Sequence, residues 1–179
     1  MWFLNRLEGT DASTTTSPFA LRLDGTLDRS ALAAALADVT ERHESSARSI
    51  PRIRRDSRTQ NVLPAHQVGT LLTTLLSDEE VLRRDVVAFA ARGFDLTTEV
   101  PLRACLFTRH ETSHVLVLVL HHIAGDGWSM APLARDVATA YEARAGGLAP
   151  GWEPLPVQYA DYALWQRGLL GRSLIRRVC

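Results

Sequence analysis

The stretch SHVLVLVLHHIAGDGWS, residues 113–129, decides the fold. Between His114 and Ile123 almost every position is apolar, which predicts a strand with both faces covered, in the interior of a sheet. The glycines and the aspartate that follow indicate a tight loop, and Ser129 is suited to cap a helix. The stretch therefore predicts a buried strand, a polar loop and a helix in direct succession.

Earlier segments supply further strands for the same sheet. Residues 102–108 form a second apolar run, and the polar link 109–113 joins it to the buried strand, which is typical of a β-hairpin. Residues 19–23 alternate apolar and polar or small side chains, as a half-buried strand does. Residues 68–76 mix threonine with apolar residues and are predicted as another strand.

Helices are predicted between and after these strands. The first begins near Asp28 or Ser30 and runs for about four turns. The second follows the acidic residues 78–80 and ends near Gly93. After the helix that Ser129 starts, residues 148–158 hold three prolines and form an extended connector, and a last amphipathic helix follows over 159–170. This order of elements predicts an α/β fold with helices packed on a sheet.

Composition limits the classes of function. The chain has 179 residues, which suits one domain, and 46% of them are hydrophobic, as in a globular core. Its 20 basic and 20 acidic residues balance, so no net charge draws the chain to nucleic acid or to an anionic membrane. No secretory leader opens the sequence, and the apolar run 115–120 is too short to cross a bilayer. We therefore expect a cytoplasmic protein.

Cysteine and arginine usage add two expectations. Cys105 and Cys179 have no metal-ligand spacing to a partner, and Cys105 is predicted to be a buried free thiol. All 20 cations are arginine, which indicates GC-rich coding and a bacterial source. Residues 45–59 are rich in arginine, but they hold no aromatic residue on which bases could stack. An irregular solvated segment is favoured there over a nucleic-acid-binding patch.

The polar residues after the buried strand are the candidate site. His121 and His122 point to opposite faces of the strand, so a shared metal ion is disfavoured. An imidazole titrates near neutrality, and a carboxylate such as Asp126 can orient a ring or anchor the loop. Gly125 and Gly127 permit a tight turn and a positive φ at the aspartate. The arrangement suits a general base.

These residues also carry a resemblance. The string His121 to Ser129 resembles the HHxxxDG motif of the condensation domains of nonribosomal peptide synthetases and, more distantly, of acyltransferases related to chloramphenicol acetyltransferase. Matches to other family motifs are WFLNRLEG at 2–9, RHES at 42–45, FDL at 94–96 with PLRA at 101–104, and YADYALW at 159–165. The resemblance implies a mixed β-sheet with helices packed on it, as in one lobe of the chloramphenicol acetyltransferase-like fold.

The resemblance also implies roles for the motif residues. In these domains two carrier-bound thioesters meet in a tunnel. There the second histidine, here His122, deprotonates or positions the acceptor amine as it attacks the donor thioester. His121 is expected to be structural, and Gly127 to keep the backbone close to the reacting centre. Asp126 corresponds to a buried aspartate that pairs with an arginine and holds the loop.

Substrates and partners follow from the same resemblance. Peptidyl and aminoacyl carrier domains deliver the substrates on phosphopantetheine arms, so no bound cofactor and no metal ion are implied. The amino acids joined, the stereochemistry of the donor and the peptide product are not encoded in this chain. Neither a nucleic acid nor a membrane is expected as a partner.

The sequence departs from the family pattern in three places. The arginine expected to pair with Asp126 falls at Ala47, which leaves Arg48 and Arg103 as candidate substitutes. A frame error or divergence would explain residues 46–58, and residues 172–179 resemble an unrelated tail. Residues 1–171 correspond to an N-terminal lobe with an incomplete start. Because the C-terminal lobe is missing, a sheet face is expected to be exposed and to favour association.

Several functions stay open at this point. The first is an acyltransferase that forms peptide bonds, present as a truncated condensation domain. A standalone CoA-dependent acyltransferase that completes its site in an oligomer is the second, and epimerisation domains share the histidine motif. The non-enzymatic alternative is a remnant or a carrier-docking module that binds a loaded carrier without turnover.

Overall fold

A computed structural model describes residues 15–49, 52–54, 57–58, 61–62 and 71–178, and the side chains within 15–47 and 71–170. The motif matched at 2–9, the side chain of Arg48, the side chains of the tail 172–178 and Cys179 lie outside the described residues. The first elements are strand β1, Thr16–Asp24, and helix α1, Arg29–Arg42. Asp28 caps α1 by accepting hydrogen bonds from the amides of Ser30 and Ala31, as predicted.

The arginine-rich segment is more regular than the predicted solvated loop. After α1 the chain makes a 3₁₀ turn, Glu44–Ala47. Four short strands follow: β2 (Arg48–Ser49), β3 (Arg52–Arg54), β4 (Ser57–Arg58) and β5 (Asn61–Val62). They pair as β2 with β5 and β3 with β4, both antiparallel and apart from the main sheet. Local hairpin pairing needs no apolar periodicity, which is why the sequence pattern did not predict it.

The main sheet contains the strands that the apolar runs predict. Its members after β1 are β6 (Leu72–Leu76), β7 (Leu102–His110) and β8 (Ser113–His121). The strand order is β1-β8-β7-β6, so β7 and β8 are central, and the predicted hairpin is confirmed. Because β6 pairs with β7 in parallel and the other pairs are antiparallel, the sheet is mixed.

Helices cover both faces of the central strands. On one face lie α1 and helix α3, Met130–Ala145, and their apolar side chains pack with Leu106, Leu116 and Leu118. On the other face lies helix α2, Glu79–Ala91, with a cluster that includes Phe94, Cys105, Phe107, Val117 and Val119. Cys105 is buried and free, and burial raises the pKa of its thiol to about 11, so the thiol is unreactive at neutral pH.

The sheet is therefore not exposed on one face, which corrects the expectation drawn from a missing lobe. Most of the exposed large apolar side chains in the described residues instead lie on edge strand β6 and on the last helix, α4, Tyr159–Val178; the others are Val87, Trp128, Leu148 and Val157. On α4 they are Tyr159, Tyr162, Leu164, Trp165, Leu169 and Leu170. Before α4, residues 148–158 have no helix or strand, as predicted, and Gly147 with φ +76° ends α3.

Candidate active site

The backbone after β8 fixes where the two histidines lie. The amide of His121 donates to the carbonyl of Pro101 at 2.9 Å, and the amide of His122 donates to the carbonyl of Thr15 at 2.8 Å. One histidine is thus tied to the chain before β7 and the other to the chain before β1. The amide of Ala124 then closes a turn on the carbonyl of His121 at 2.9 Å.

His121 faces the layer that contains α2. Its side chain is fully buried and meets the ring of Phe94 edge to face, with centroids 5.8 Å apart and planes at 90°. Its Nδ1 accepts the amide of Ile123 at 3.0 Å, so its proton lies on Nε2. Burial, helped by the nearby charge of His122, lowers the pKa of His121 to about 4. The ring is therefore neutral at physiological pH.

His122 is only half-buried, and its ring is held differently. Its Nδ1 donates to the carbonyl of Gly125 at 3.4 Å, since a carbonyl can only accept. The neutral ring then carries its lone pair on Nε2, and the side-chain hydrogen bond that His122 makes within the described part of the chain is the one through Nδ1. An imidazole in this state can accept a proton from a bound ligand.

Asp126 is exposed, which corrects the expectation of a buried aspartate. It caps a short 3₁₀ helix, Gly127–Ser129, where its Oδ1 accepts the amides of Trp128 at 3.1 Å and Ser129 at 3.2 Å. The Ser129 hydroxyl accepts the Asp126 amide in return, at 3.1 Å, which completes a capping box. The Oδ1 of the carboxylate is thus satisfied by donors at a helix start, and none of the described cations pairs with it.

Of the two candidate arginines, Arg103 is not placed beside Asp126. Arg103 donates to the carbonyls of Gly93 and Arg92, and its guanidinium lies 3.9 Å from the centre of the Phe94 ring. The predicted Asp126–Arg103 pair is therefore not formed, because Arg103 lies in β7 on the α2 face of the sheet. The side chain of Arg48 is outside the described residues, so the second candidate stays a prediction.

The two glycines of the loop have different roles. A Cβ on Gly125 would lie 2.7 Å from Leu120 Cδ2 and 2.8 Å from Ser129 Oγ, so this position is closed to other residues. A Cβ on Gly127 would meet nothing within 4 Å. The predicted positive φ at Asp126 is wrong: φ is −129° there, and among the described residues only Gly25 and Gly147 have positive values. At Gly125 the close approach of Leu120 and Ser129, not the φ angle, favours glycine.

A cleft of about 330 Å³ adjoins the loop, between the end of α1 and the start of α3. Its lining includes His43, Ala124, Trp128 and Leu133, whereas His122 is not part of it. His43 Nε2 donates to the carboxylate of Asp136 at 2.8 Å, a contact that sequence spacing does not predict because 93 residues separate the two. This hydrogen bond joins the end of α1 to α3 beside the candidate site.

Neither a metal centre nor a membrane-spanning helix is found among the described residues. No group of three or more His, Cys, Asp or Glu side chains is placed to hold a metal ion there. Among the described helices, none combines the length and the apolar character needed to cross a membrane.

Known proteins resemble this chain in sequence. The family model described as Condensation domain matches residues 1–177. The dimodular nonribosomal peptide synthase of Bacillus subtilis is 47% identical over 97% of the chain, and the isonitrile lipopeptide synthase of Mycobacterium tuberculosis is 45% identical over 96%. The chain spans 7% of the length of each of these relatives.

Solved structures resemble it in fold. The X-domain from teicoplanin biosynthesis has a TM-score of 0.85 and 40% identity over 94% of this chain, which corresponds to 36% of that one. The first condensation domain of the CDA synthetase has a TM-score of 0.77 over 98% of this chain and 43% of that one, at 21% identity. The chain thus has the chloramphenicol acetyltransferase-like fold of these neighbours, and it belongs to the condensation-domain family of nonribosomal peptide synthetases.

Proposed function

We propose that this chain takes part in peptide-bond formation between two aminoacyl or peptidyl thioesters held on carrier domains, with His122 as the base or positioning group. The observation that carries the proposal is the state of its imidazole. The ring is partly exposed, and its Nδ1–H is directed at the Gly125 carbonyl, which leaves the Nε2 lone pair free for an incoming amine.

The reaction balances with the groups named. The α-amine of the acceptor attacks the carbonyl carbon of the donor thioester, and the new C–N bond replaces the C–S bond. Nε2 of His122 takes the proton that the amine loses and passes it to the departing thiolate of the donor arm, which leaves as the free thiol. Holding both arms in one place supplies much of the remaining rate enhancement.

The acyl groups arrive on phosphopantetheine arms, so the proposal needs neither a metal ion nor a resident cofactor. His121 supports the site without reacting, because its lone pair is already used by the Ile123 amide. Asp126 shapes the loop by capping the 3₁₀ helix and is not a proton donor or acceptor in this scheme.

The test uses the full chain with one aminoacyl donor carrier and one aminoacyl acceptor carrier, and mass spectrometry to detect the dipeptidyl carrier. His122→Ala is expected to remove product. His110→Ala is the matched control, because His110 is exposed at the far end of β7. Product from the unchanged chain and from His110→Ala, but not from His122→Ala, supports the proposal. Equal rates for all three proteins contradict it.

A second candidate function is docking without turnover. It is favoured by one neighbour, the X-domain from teicoplanin biosynthesis, which is described in complex with OxyB. By analogy the present chain would bind a loaded carrier or another protein of the assembly and leave the thioester intact. Saturable binding of an aminoacyl carrier with no product from the unchanged chain would favour docking over catalysis.

A further inference from the structure

A line of contacts connects a buried arginine to the first histidine of the motif. Arg103 lies in β7, Phe94 in the segment that follows α2, and His121 at the end of β8. All three are buried, with Phe94 only 5% exposed and Arg103 8% exposed. Three separate parts of the chain thus meet directly beneath the turn that carries His122.

Arg103 is fixed at several points. It donates to the carbonyl of Gly93 at 2.9 Å and to the carbonyl of Arg92, and Glu99 lies 3.9 Å away. Burial lowers the pKa of Arg103 to about 10, so it still carries its charge at neutral pH. The guanidinium therefore ties β7 to the end of α2 and places a positive charge against the face of Phe94, 3.9 Å from the ring centre.

Phe94 in turn fixes the orientation of the His121 ring. An edge-to-face pair fixes the relative orientation of two rings, and here the centroids are 5.8 Å apart with the planes at 90°. The Nε2 of His121 is buried and has no hydrogen-bond partner among the described residues. A charge on this ring would be unsolvated, so the ring keeps one proton, on Nε2, and offers Nδ1 to the Ile123 amide.

We propose that Arg103 and Phe94 are positioning residues for His122 that act through His121. By holding the His121 ring in one orientation and one tautomer, they keep the hydrogen bond from the Ile123 amide, and that bond fixes the turn that begins at His122. The part of this statement that concerns catalysis rests on the proposed function. The part that concerns the tautomer and the turn does not.

The experiment is NMR on the ¹⁵N-labelled full chain. Long-range nitrogen–proton correlations in the imidazoles report the tautomer of His121, and hydrogen exchange of the Ile123 amide reports the stability of the turn. Exchange at Ile123 is read relative to exchange at Leu118, a central position of β8 that reports opening of the whole sheet. A general loss of stability would accelerate exchange at both positions, so it would not raise the exchange rate of Ile123 relative to that of Leu118.

The variants are Phe94→Leu and Arg103→Gln, with Arg103→Lys as a milder change that keeps the charge but cannot reach both carbonyls. Phe107→Leu is the matched control, because Phe107 is buried in the same apolar layer and its ring packs edge to face on Phe89 rather than on Phe94 or His121. In the unchanged chain we expect a single His121 tautomer with the proton on Nε2. In Phe94→Leu and Arg103→Gln we expect mixed tautomers and exchange at Ile123 accelerated about tenfold relative to Leu118.

Two results would overturn the inference. In one, Phe94→Leu and Arg103→Gln keep the single tautomer and the exchange ratio of the unchanged chain. In the other, Phe107→Leu alters both to the same extent as these variants. Neither readout needs turnover, so an inactive chain with the expected NMR changes contradicts only the proposed function. An active chain that depends on His122 but lacks these changes contradicts only the positioning role.

Discussion

His121 and His122 are neighbours in the chain, yet they carry their imidazole protons on opposite nitrogens. The Nδ1 of His121 accepts the amide of Ile123 at 3.0 Å, whereas the Nδ1 of His122 donates to the carbonyl of Gly125 at 3.4 Å. The lone pair of His121 lies on Nδ1 and accepts a hydrogen bond within the turn. The lone pair of His122 lies on Nε2, on the side of the ring away from Gly125. Two identical side chains thus differ in which ring nitrogen carries the proton, because their hydrogen-bond partners differ.

The buried state of His121 predicts a stability that falls in acid. Its pKa is lowered from 6.5 to about 4 in the folded chain, so between these values the unfolded chain binds more protons than the folded one. Its contribution is complete above pH 6.5 and is lost as the pH falls toward 4. The full loss amounts to about 3 kcal/mol of unfolding free energy.

Urea unfolding at about pH 7.5 and at about pH 4.5 measures this loss. Because other groups also titrate in this interval, the informative quantity is the difference between the unchanged chain and His121→Gln, which has no such ring. We expect the pH dependence of the variant to be smaller by about 2–3 kcal/mol. His110→Gln removes an exposed histidine and should behave as the unchanged chain does; equal pH dependence in all three would contradict the prediction.

Substitution by alanine is expected to lower the unfolding free energy at one of the two loop glycines and to leave it nearly unchanged at the other. At Gly125 the added methyl group would press on Leu120 and Ser129, so we expect Gly125→Ala to lower the unfolding free energy by about 1–3 kcal/mol. At Gly127 there is open space and no positive φ, so Gly127→Ala should change it by less than about 0.5 kcal/mol. Urea unfolding of both variants makes the comparison, and a larger cost at Gly127 would be inconsistent with this geometry.

Much of the fold could be predicted because its signals are local. The apolar run before His121 predicts a central strand, and the polar link to the preceding run predicts the hairpin, since both depend only on neighbouring residues. Capping of α1 by Asp28 is local in the same way. The family motif added the identity of the candidate base, which periodicity alone cannot distinguish from a core histidine.

The parts of the site that could not be predicted depend on contacts between distant segments. The contact of Arg103 with Phe94 needs the register of β7 against the segment after α2, and no local pattern encodes it. The sequence is equally compatible with Asp126 as a helix cap and as half of a buried ion pair, because both use the same carboxylate. Only the positions of the Trp128 and Ser129 amides distinguish the two.

Because Asp126 caps a short helix, its substitution is expected to lower the unfolding free energy only modestly. Loss of a cap costs about 1 kcal/mol in Asp126→Ala, whereas Asp126→Asn keeps an oxygen for the two amides and should cost less. A buried ion pair would instead lose about 3–5 kcal/mol in either variant, because an arginine would be left without its partner. Urea unfolding separates the two cases, and a large cost in Asp126→Asn would restore the ion-pair hypothesis.

The ion pair beneath the cleft predicts a large effect at Asp136. Its carboxylate is 9% exposed and lies 3.1 Å from Arg42 Nε and 2.8 Å from His43 Nε2, so it links α1 to α3. Asp136→Ala leaves the partly buried donors of Arg42 and His43 without this acceptor, and we expect a loss of about 3 kcal/mol in urea unfolding.

The control for Asp136 is a surface ion pair of similar length. Asp24 and Arg22 are 3.2 Å apart, but their side chains are 62% and 69% exposed, so solvent screens the pair. Asp24→Ala should therefore cost less than about 1 kcal/mol. The difference between the two variants measures the effect of burial on otherwise similar contacts. If they cost the same, the carboxylate of Asp136 is solvated in solution and adds little to the contact between α1 and α3.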